Sequence, residues 1–337
     1  MTFALRRILL VAPLLLAVSL AVFALASALP GDPAAARFDV HANPEEVARW
    51  RAERGLDDPF VSRWWRYVRR AVTRFDLDRS YVDDRPVARD LVAKLQATFE
   101  LALFAMAVGA LAGAAVGILS AVFPRSPVDY FGGLVALCGI SLPVFWLGML
   151  LVVFAVNVLG FPFSTNRTSP DVSVEGFVTN LYLLESLVRL RFDVFLSCAR
   201  NLLLPGLALS TIPMAVITRM TRSAMLEELR KDYATTARAK GLPGRKVVLK
   251  HVLRNALIPI TTITGLQFGQ LLGGAVLTET VFSWPGLGRY IVEKGVGARD
   301  APVIVGGILL VSTTFILVNL AVDLLYGVID PRIRSGE

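Results

Sequence analysis

Apolar runs and short charged intervals alternate along the whole chain, and six of the runs are long enough to cross a bilayer. They cover about 8–29, 97–123, 131–159, 201–217, 256–281 and 303–328, against about 20 apolar residues needed to span hydrocarbon. Pro143 inside the third predicts a kink. Pro205 and Pro213 interrupt the fourth, which neighbouring helices can tolerate by satisfying the freed backbone groups. The first run begins after Arg6-Arg7 and ends at Ala26-Ser27-Ala28, the layout of a secretory signal. It is longer than the apolar stretch of about 7–15 residues in such a signal, so it reads as an uncleaved spanning helix.

Two intervals carry a pattern of their own. In the first, 30–96, Val61, Trp64, Trp65, Val68, Val72 and Phe75 share one helical face. Arg63, Arg66, Arg69, Arg70 and Arg74 take the other, which predicts a helix lying in the membrane interface or packed on the outer ends of the spans. The second reads DYATTARAKGLPGRKVVLKHVLRNALIP from Asp232. Residues 232–240 and 245–255 predict two helices joined at a Gly-Leu-Pro-Gly corner. Tyr233, Ala237 and Lys240 recur at i, i+4 and i+7, and Ala234 and Ala237 allow close approach to a partner. The residues alone leave two uses open: insertion into a groove on another protein, or attraction to anionic headgroups.

Composition narrows the class. The chain of 337 residues is 55% hydrophobic and 18% charged, where soluble domains average about 25% charged. The expected fold is an all-α polytopic membrane protein. Its formal charge of +8 does not imply nucleic acid, because the basic residues sit between apolar runs. Arg6, Arg7, Arg125, Arg332, Arg334 and the interval 219–254, with ten Lys or Arg against three acidic residues, fall on one side if there are six spans. That side is expected to be cytoplasmic, with both termini on it.

Catalytic chemistry is scarce. Cys138 and Cys198 form no redox motif, and His41 and His251 are too few for a metal cluster. No lysine is followed by Ser or Thr, so no phosphate-cradling loop is present. The chain is expected to be no enzyme, with no cofactor and no metal. Polar residues at membrane depth are the candidates for function: Glu100, Asn157, Gln267, Gln270, Thr278, Glu279, Asn319 and Asp323. Asn319 and Asp323 share a helix face, where interhelical hydrogen bonds are the competing use.

The basic interval resembles the coupling loop of ABC-importer permeases, with Thr235-Thr236-Ala237 in place of Glu-Ala-Ala, then Gly241, then Leu257-Ile258-Pro259. Asp232, Tyr233, Thr236, Ala237, Arg238, Ala239, Lys240 and Gly241 match the form seen in the dipeptide, oligopeptide and nickel branch. Pro30-Gly31-Asp32-Pro33, Gly55-Leu56-Asp57-Asp58-Pro59, Thr98-Phe99-Glu100-Leu101-Ala102 and Ser141 to Gly148 extend the likeness. So do Glu279 to Gly288, Arg299-Asp300-Ala301-Pro302, and Asn319, Asp323, Tyr326 and 330–334. Asp76 to Ser80 resembles a Gly-Asp-Leu-Gly-x-Ser element that has lost both glycines.

This resemblance implies a type I ABC-importer permease fold of about six spans. It implies a cytoplasmic tip and first helix (1–30), an extracytoplasmic segment (31–95), a core permease domain (96–330) containing the coupling loop (219–256), and a cytoplasmic tail (331–337). The coupling residues would be Asp232, Tyr233, Thr236, Ala237, Arg238, Lys240, Gly241, Arg254 and Pro259. Gln267, Gln270, Thr278, Glu279, Asn319 and Asp323 would line the path or form a gate. Implied partners are the lipid bilayer, a second permease, two ATPase chains and an extracytoplasmic binding protein. Peptide is the expected cargo, with nickel, glutathione or another small solute as the alternative within the branch. An ion-coupled carrier would call for inverted repeats and a midplane titratable group. A membrane enzyme would call for a metal set or a nucleophile and base in the bilayer.

Overall fold

The computed structural model describes residues 2–28, 32–38, 42–160 and 166–329; Pro30-Gly31, His41 and the 330–337 tail lie outside them. Regular structure among the described residues is helical, apart from one bridge between Arg79 and Pro86. The chain forms two compact units.

The first unit comprises Met1–Thr98, Gly176–Leu181 and Pro285–Ile316. It holds α1 (Thr2–Ser27), α2 (Pro44–Arg54), α3 (Phe60–Arg74), the start of α4 (Val87–Val122) and the short α13 (Leu287–Tyr290). Asn43 caps α2 by accepting the Glu45 amide at 3.0 Å. The predicted amphipathic helix is α3, and its apolar stripe divides. Val68 is buried and the Trp64 indole donates to Ser19 Oγ of α1 at 3.1 Å, whereas Val61, Trp65, Val72 and Phe75 are exposed. The packed part of the stripe is therefore Trp64 and Val68, and the other four residues leave an apolar surface uncovered. Val22, Tyr67, Leu77, Val87, Leu91, Leu287 and Val303 form the main core of this unit.

Across this unit, Asp300 joins the ends of a 220-residue separation: Ser80 Oγ donates to it at 2.5 Å and the Tyr81 amide at 3.1 Å. Its carbonyl accepts the Ile304 amide in the first turn of helix α14 (Ala301–Ile329). Burial outweighs these donors and raises its pKa. Asp300→Ala leaves those donors without their buried acceptor and is expected to cost about 2 kcal/mol. A thermal unfolding midpoint unchanged in this variant would show that the tether carries no stability.

The second unit comprises Phe99–Glu175, Tyr182–Trp284 and Leu317–Glu337. Its axis is α8 (Phe192–Leu229), 38 residues running through Pro205 and Pro213. At 1.5 Å per residue α8 is about 57 Å long, well beyond the roughly 30 Å of hydrocarbon. It therefore extends far past the 201–217 run that announced it. The helices α5 (Pro127–Ser141), α6 (Val144–Asn157), α7 (Tyr182–Val188) and α11 (Leu253–Gly274) all pack on α8. Small residues set the closest approach. A Cβ at Gly113 of α4 would lie 2.7 Å from the Met214 carbonyl, and one at Gly139 of α5 2.8 Å from that of Thr211. Glycine there lets two backbones touch, as in membrane helix pairs.

The third apolar run is not one kinked helix. Leu142 and Pro143 are both extended, and α5 and α6 meet at 109°. Proline excludes the preceding residue from the helical region, so the break is complete. Among the described residues, four helices qualify as spans by length and apolarity, namely Ile8–Ser27, Val87–Val122, Phe192–Leu229 and Ala301–Leu324, and the bent pair would make a fifth. α11, the helix of the 256–281 run, has 22 residues, about 33 Å. Thr261, Thr262, Thr264, Gln267 and Gln270 dilute its apolar content.

Candidate functional site

The basic interval folds as an elbow. α9 (Asp232–Ala239) ends in a closed cap: Gly241 donates to the Arg238 carbonyl at 2.9 Å and Leu242 to that of Ala237 at 3.3 Å. Gly241 has φ +77°, the left-handed conformation this cap demands. The chain then continues through α10 (Gly244–Lys246) and a π-helical stretch (Val247–Val252) directly into α11. The second helix expected at 245–255 is therefore the foot of the next long helix, because no breaker separates Asn255 from the apolar run. Ala234 and Ala237 also differ from expectation. Both are buried in the chain's own core rather than offered to a partner. Asp232, Thr236, Arg238, Lys240 and Arg254 are exposed, Tyr233 and Pro259 half-buried.

A carboxylate missed by sequence reasoning anchors the elbow. Glu228, at the end of α8, accepts the Tyr233 hydroxyl at 2.6 Å and Lys231 Nζ at 2.5 Å. Lys231 is raised in pKa by that bond, and Tyr233 by burial and the same carboxylate. Nearby on α8, Arg222 grips Asp129 of α5 through two bonds of 2.6 and 2.8 Å. Asp129 also accepts the Arg125 amide at 3.0 Å, which fixes the α4–α5 turn. α8 is thus tied to both connecting segments by charge-assisted bonds.

Three of the expected path residues meet in one place. Gln267, Gln270 and Thr278 line a cavity of about 370 Å³, together with Pro143, Val144 and Phe145 at the α5–α6 break. Leu209 and Ile212 of α8 and Leu271 and Leu277 supply its apolar wall. Gln270 is exposed there, while Gln267 is buried and donates Nε2 to Gln270 Oε1 at 2.9 Å. The mixture of amides, a hydroxyl and aliphatic groups can hold a polar solute loosely; it offers no nucleophile with a base. Glu279, expected at an exit or gate, is fully buried in α12 (Val276–Val281). Asn319 and Asp323 are half-buried on α14 and do not line this cavity.

Glu100, one of the polar span residues, has a specific partner. It is 1% exposed and pairs with Arg167, 7% exposed. The Leu183 amide also donates to Glu100, and the Arg167 guanidinium lies 3.9 Å from the Tyr182 ring centroid. Arg167 sits within a short Asn-Arg-Thr stretch with no local signal of its role.

Long apolar helices, a polar-lined cavity and a basic elbow define a multi-pass helical membrane protein. Residues 113–335 match the family described as binding-protein-dependent transport system inner membrane component, and residues 1–102 match its N-terminal companion. The chain belongs to this family of transport permeases. It is 42% identical over 334 residues to a dipeptide transport system permease protein of Alkalihalophilus pseudofirmus, covering 99% of both chains. The same identity holds over 338 residues, again 99% of both, with the dipeptide permease of Escherichia coli K12. A glutathione transport system permease protein of Salmonella paratyphi A is 39% identical over 335 residues, at 99% of each chain.

Proposed function

We propose that this chain is the membrane-spanning permease of an ATP-driven importer of dipeptides, coupled through its elbow to ATPase subunits it does not itself contain. The observation that carries the coupling is continuity. From Gly244 the chain runs helically into α11, whose Gln267, Gln270 and Leu271 line the cavity. A push on the exposed face of α9 reaches that cavity along one rod, while the Glu228 contacts carry it to α8. In this reading two ATPase chains close on ATP, the elbows of two homologous permeases move, and a central path turns outward to accept cargo from a binding protein. The basic surface of the elbow and both termini face the cytoplasm, as the distribution of Lys and Arg directs.

Uptake tests the cargo and the path together. Proteoliposomes holding the chain with its partner subunits and binding protein should accumulate a labelled dipeptide on ATP addition, in preference to glutathione. Gln270→Leu, which removes the exposed amide of the cavity, is expected to lower that uptake about tenfold, the cost of roughly one hydrogen bond to cargo. Wild-type rates in this variant would move the path elsewhere. Preference for glutathione would overturn the dipeptide assignment.

A further inference from the structure

The first unit contains a second polar cavity, of about 350 Å³, that transport does not explain. Arg63, Arg66, Tyr67 and Arg70 of α3 form one wall, joined by Arg51 and Arg54 of α2 and by Arg299. Among the described residues, two carboxylates, Asp32 and Asp78, share the lining with these six guanidinium groups.

Four of the six are neutralised. Arg51 meets Asp32 and Asp57 at 2.6 Å each, Arg54 meets Asp84 at 2.5 Å, and Arg70 meets Asp78 at 2.9 Å. Arg66 pairs with Asp58. Among the described residues, Arg63 and Arg299 have no carboxylate in ion-pair contact; Arg63 stacks over the Phe23 ring at 5.7 Å. Two further donors are left over. Tyr67 is only 3% exposed, yet its hydroxyl has no hydrogen-bond partner, and neither does the buried Nε of Arg70. Buried donors without partners are rare and costly, and a cluster of them beside unpaired cations marks a place for an anion. Burial pushes the Tyr67 hydroxyl's pKa up, so it remains a donor at neutral pH.

The position of the cavity selects the anion. Phe23 and Ala26, in the last turns of α1, and Val305, in the first turns of α14, supply its apolar side. It therefore opens where two spanning helices leave the hydrocarbon, beside a helix that exposes Val61, Trp65 and Val72. Guanidinium groups match phosphate oxygens in pairs. We infer that this cavity binds the phosphate of an anionic phospholipid headgroup, held by Arg63, Arg299, Tyr67 and Arg70 Nε, with the glycerol against Phe23 and Ala26. Such a lipid would fasten the first unit at a fixed depth in the interface.

Lipid binding to the purified full-length chain in neutral detergent tests this without requiring transport. Phosphatidylglycerol, phosphatidylcholine and inorganic phosphate are titrated separately, with the unfolding midpoint and lipid retained in native mass spectrometry as readouts. Two unpaired arginines near the surface, at about fivefold each, predict a preference for phosphatidylglycerol over phosphatidylcholine of about 25-fold. Arg63→Gln with Arg299→Gln should erase the preference. Tyr67→Phe keeps the ring in the core and should weaken it about tenfold, while Arg69→Gln, off the cavity, should leave it unchanged. Equal binding of the two lipids, or a preference that survives both the double variant and Tyr67→Phe, overturns the inference. Stabilisation by inorganic phosphate equal to that by phosphatidylglycerol, lost in the same variants, overturns the lipid in favour of the free anion. Unchanged lipid preference with loss of binding-protein capture would overturn it in favour of an acidic protein surface.

Discussion

Gly241→Pro is expected to reduce ATP-driven uptake by the assembled importer at least about 100-fold while leaving the chain in the membrane. Proline fixes φ near −65° and has no amide hydrogen, whereas Gly241 sits at φ +77° and donates to Arg238. Both capping bonds of α9 go, and the elbow loses its angle. Loss of about 3 kcal/mol of geometry at the coupling element corresponds to a factor of about 100 in a coupled equilibrium. Gly241→Ala is the informative companion. Apart from its chain neighbours, no heavy atom lies within 4 Å of its added Cβ, so only left-handed strain of about 1 kcal/mol remains, and uptake should fall no more than about fivefold. Equal effects of the two substitutions would show that bulk, not backbone angle, governs the loop.

Arg167→Ala should be the most destabilising single change in the second unit, by about 3–5 kcal/mol, because it strands the buried Glu100 carboxylate. It also removes a guanidinium stacked on Tyr182. Arg167→Met combined with Glu100→Leu leaves no buried charge and should recover most of that loss. Unfolding midpoints in detergent decide the matter: a double variant no more stable than Arg167→Ala would mean that shape, not the charge pair, matters at this site. Transport in the double variant then asks separately whether the pair serves motion.

The features legible in the sequence are those whose cause is local. The stripe of α3 repeats every three or four residues, Gly241 precedes a Leu-Pro pair, and the two glutamines of α11 stand out in an apolar run. The first two produced the helix and the corner expected of them, and the two glutamines line one cavity. Glu100–Arg167, Asp129–Arg222 and Ser80–Asp300 are separated by 67, 93 and 220 residues. No periodicity connects such positions; only the packing of helices does. Pro143 announced a bend, but its size depends on α5 and α6 packing separately on α8. Ala234 and Ala237 show the same limit, since smallness permits close approach without saying whether the neighbour is a partner or the chain's own core.

We propose that this permease works through its elbow on ATPases carried by other chains. Purifying the tagged chain from its native membranes in mild detergent, beside Gly241→Pro, and identifying what accompanies each by mass spectrometry tests it most directly. ATPase subunits and a second permease are expected with the wild type, and loss of the ATPases, but not of the second permease, with the variant. Recovery of the chain alone, in detergent that keeps other complexes intact, or equal recovery of ATPases by both forms, would contradict it.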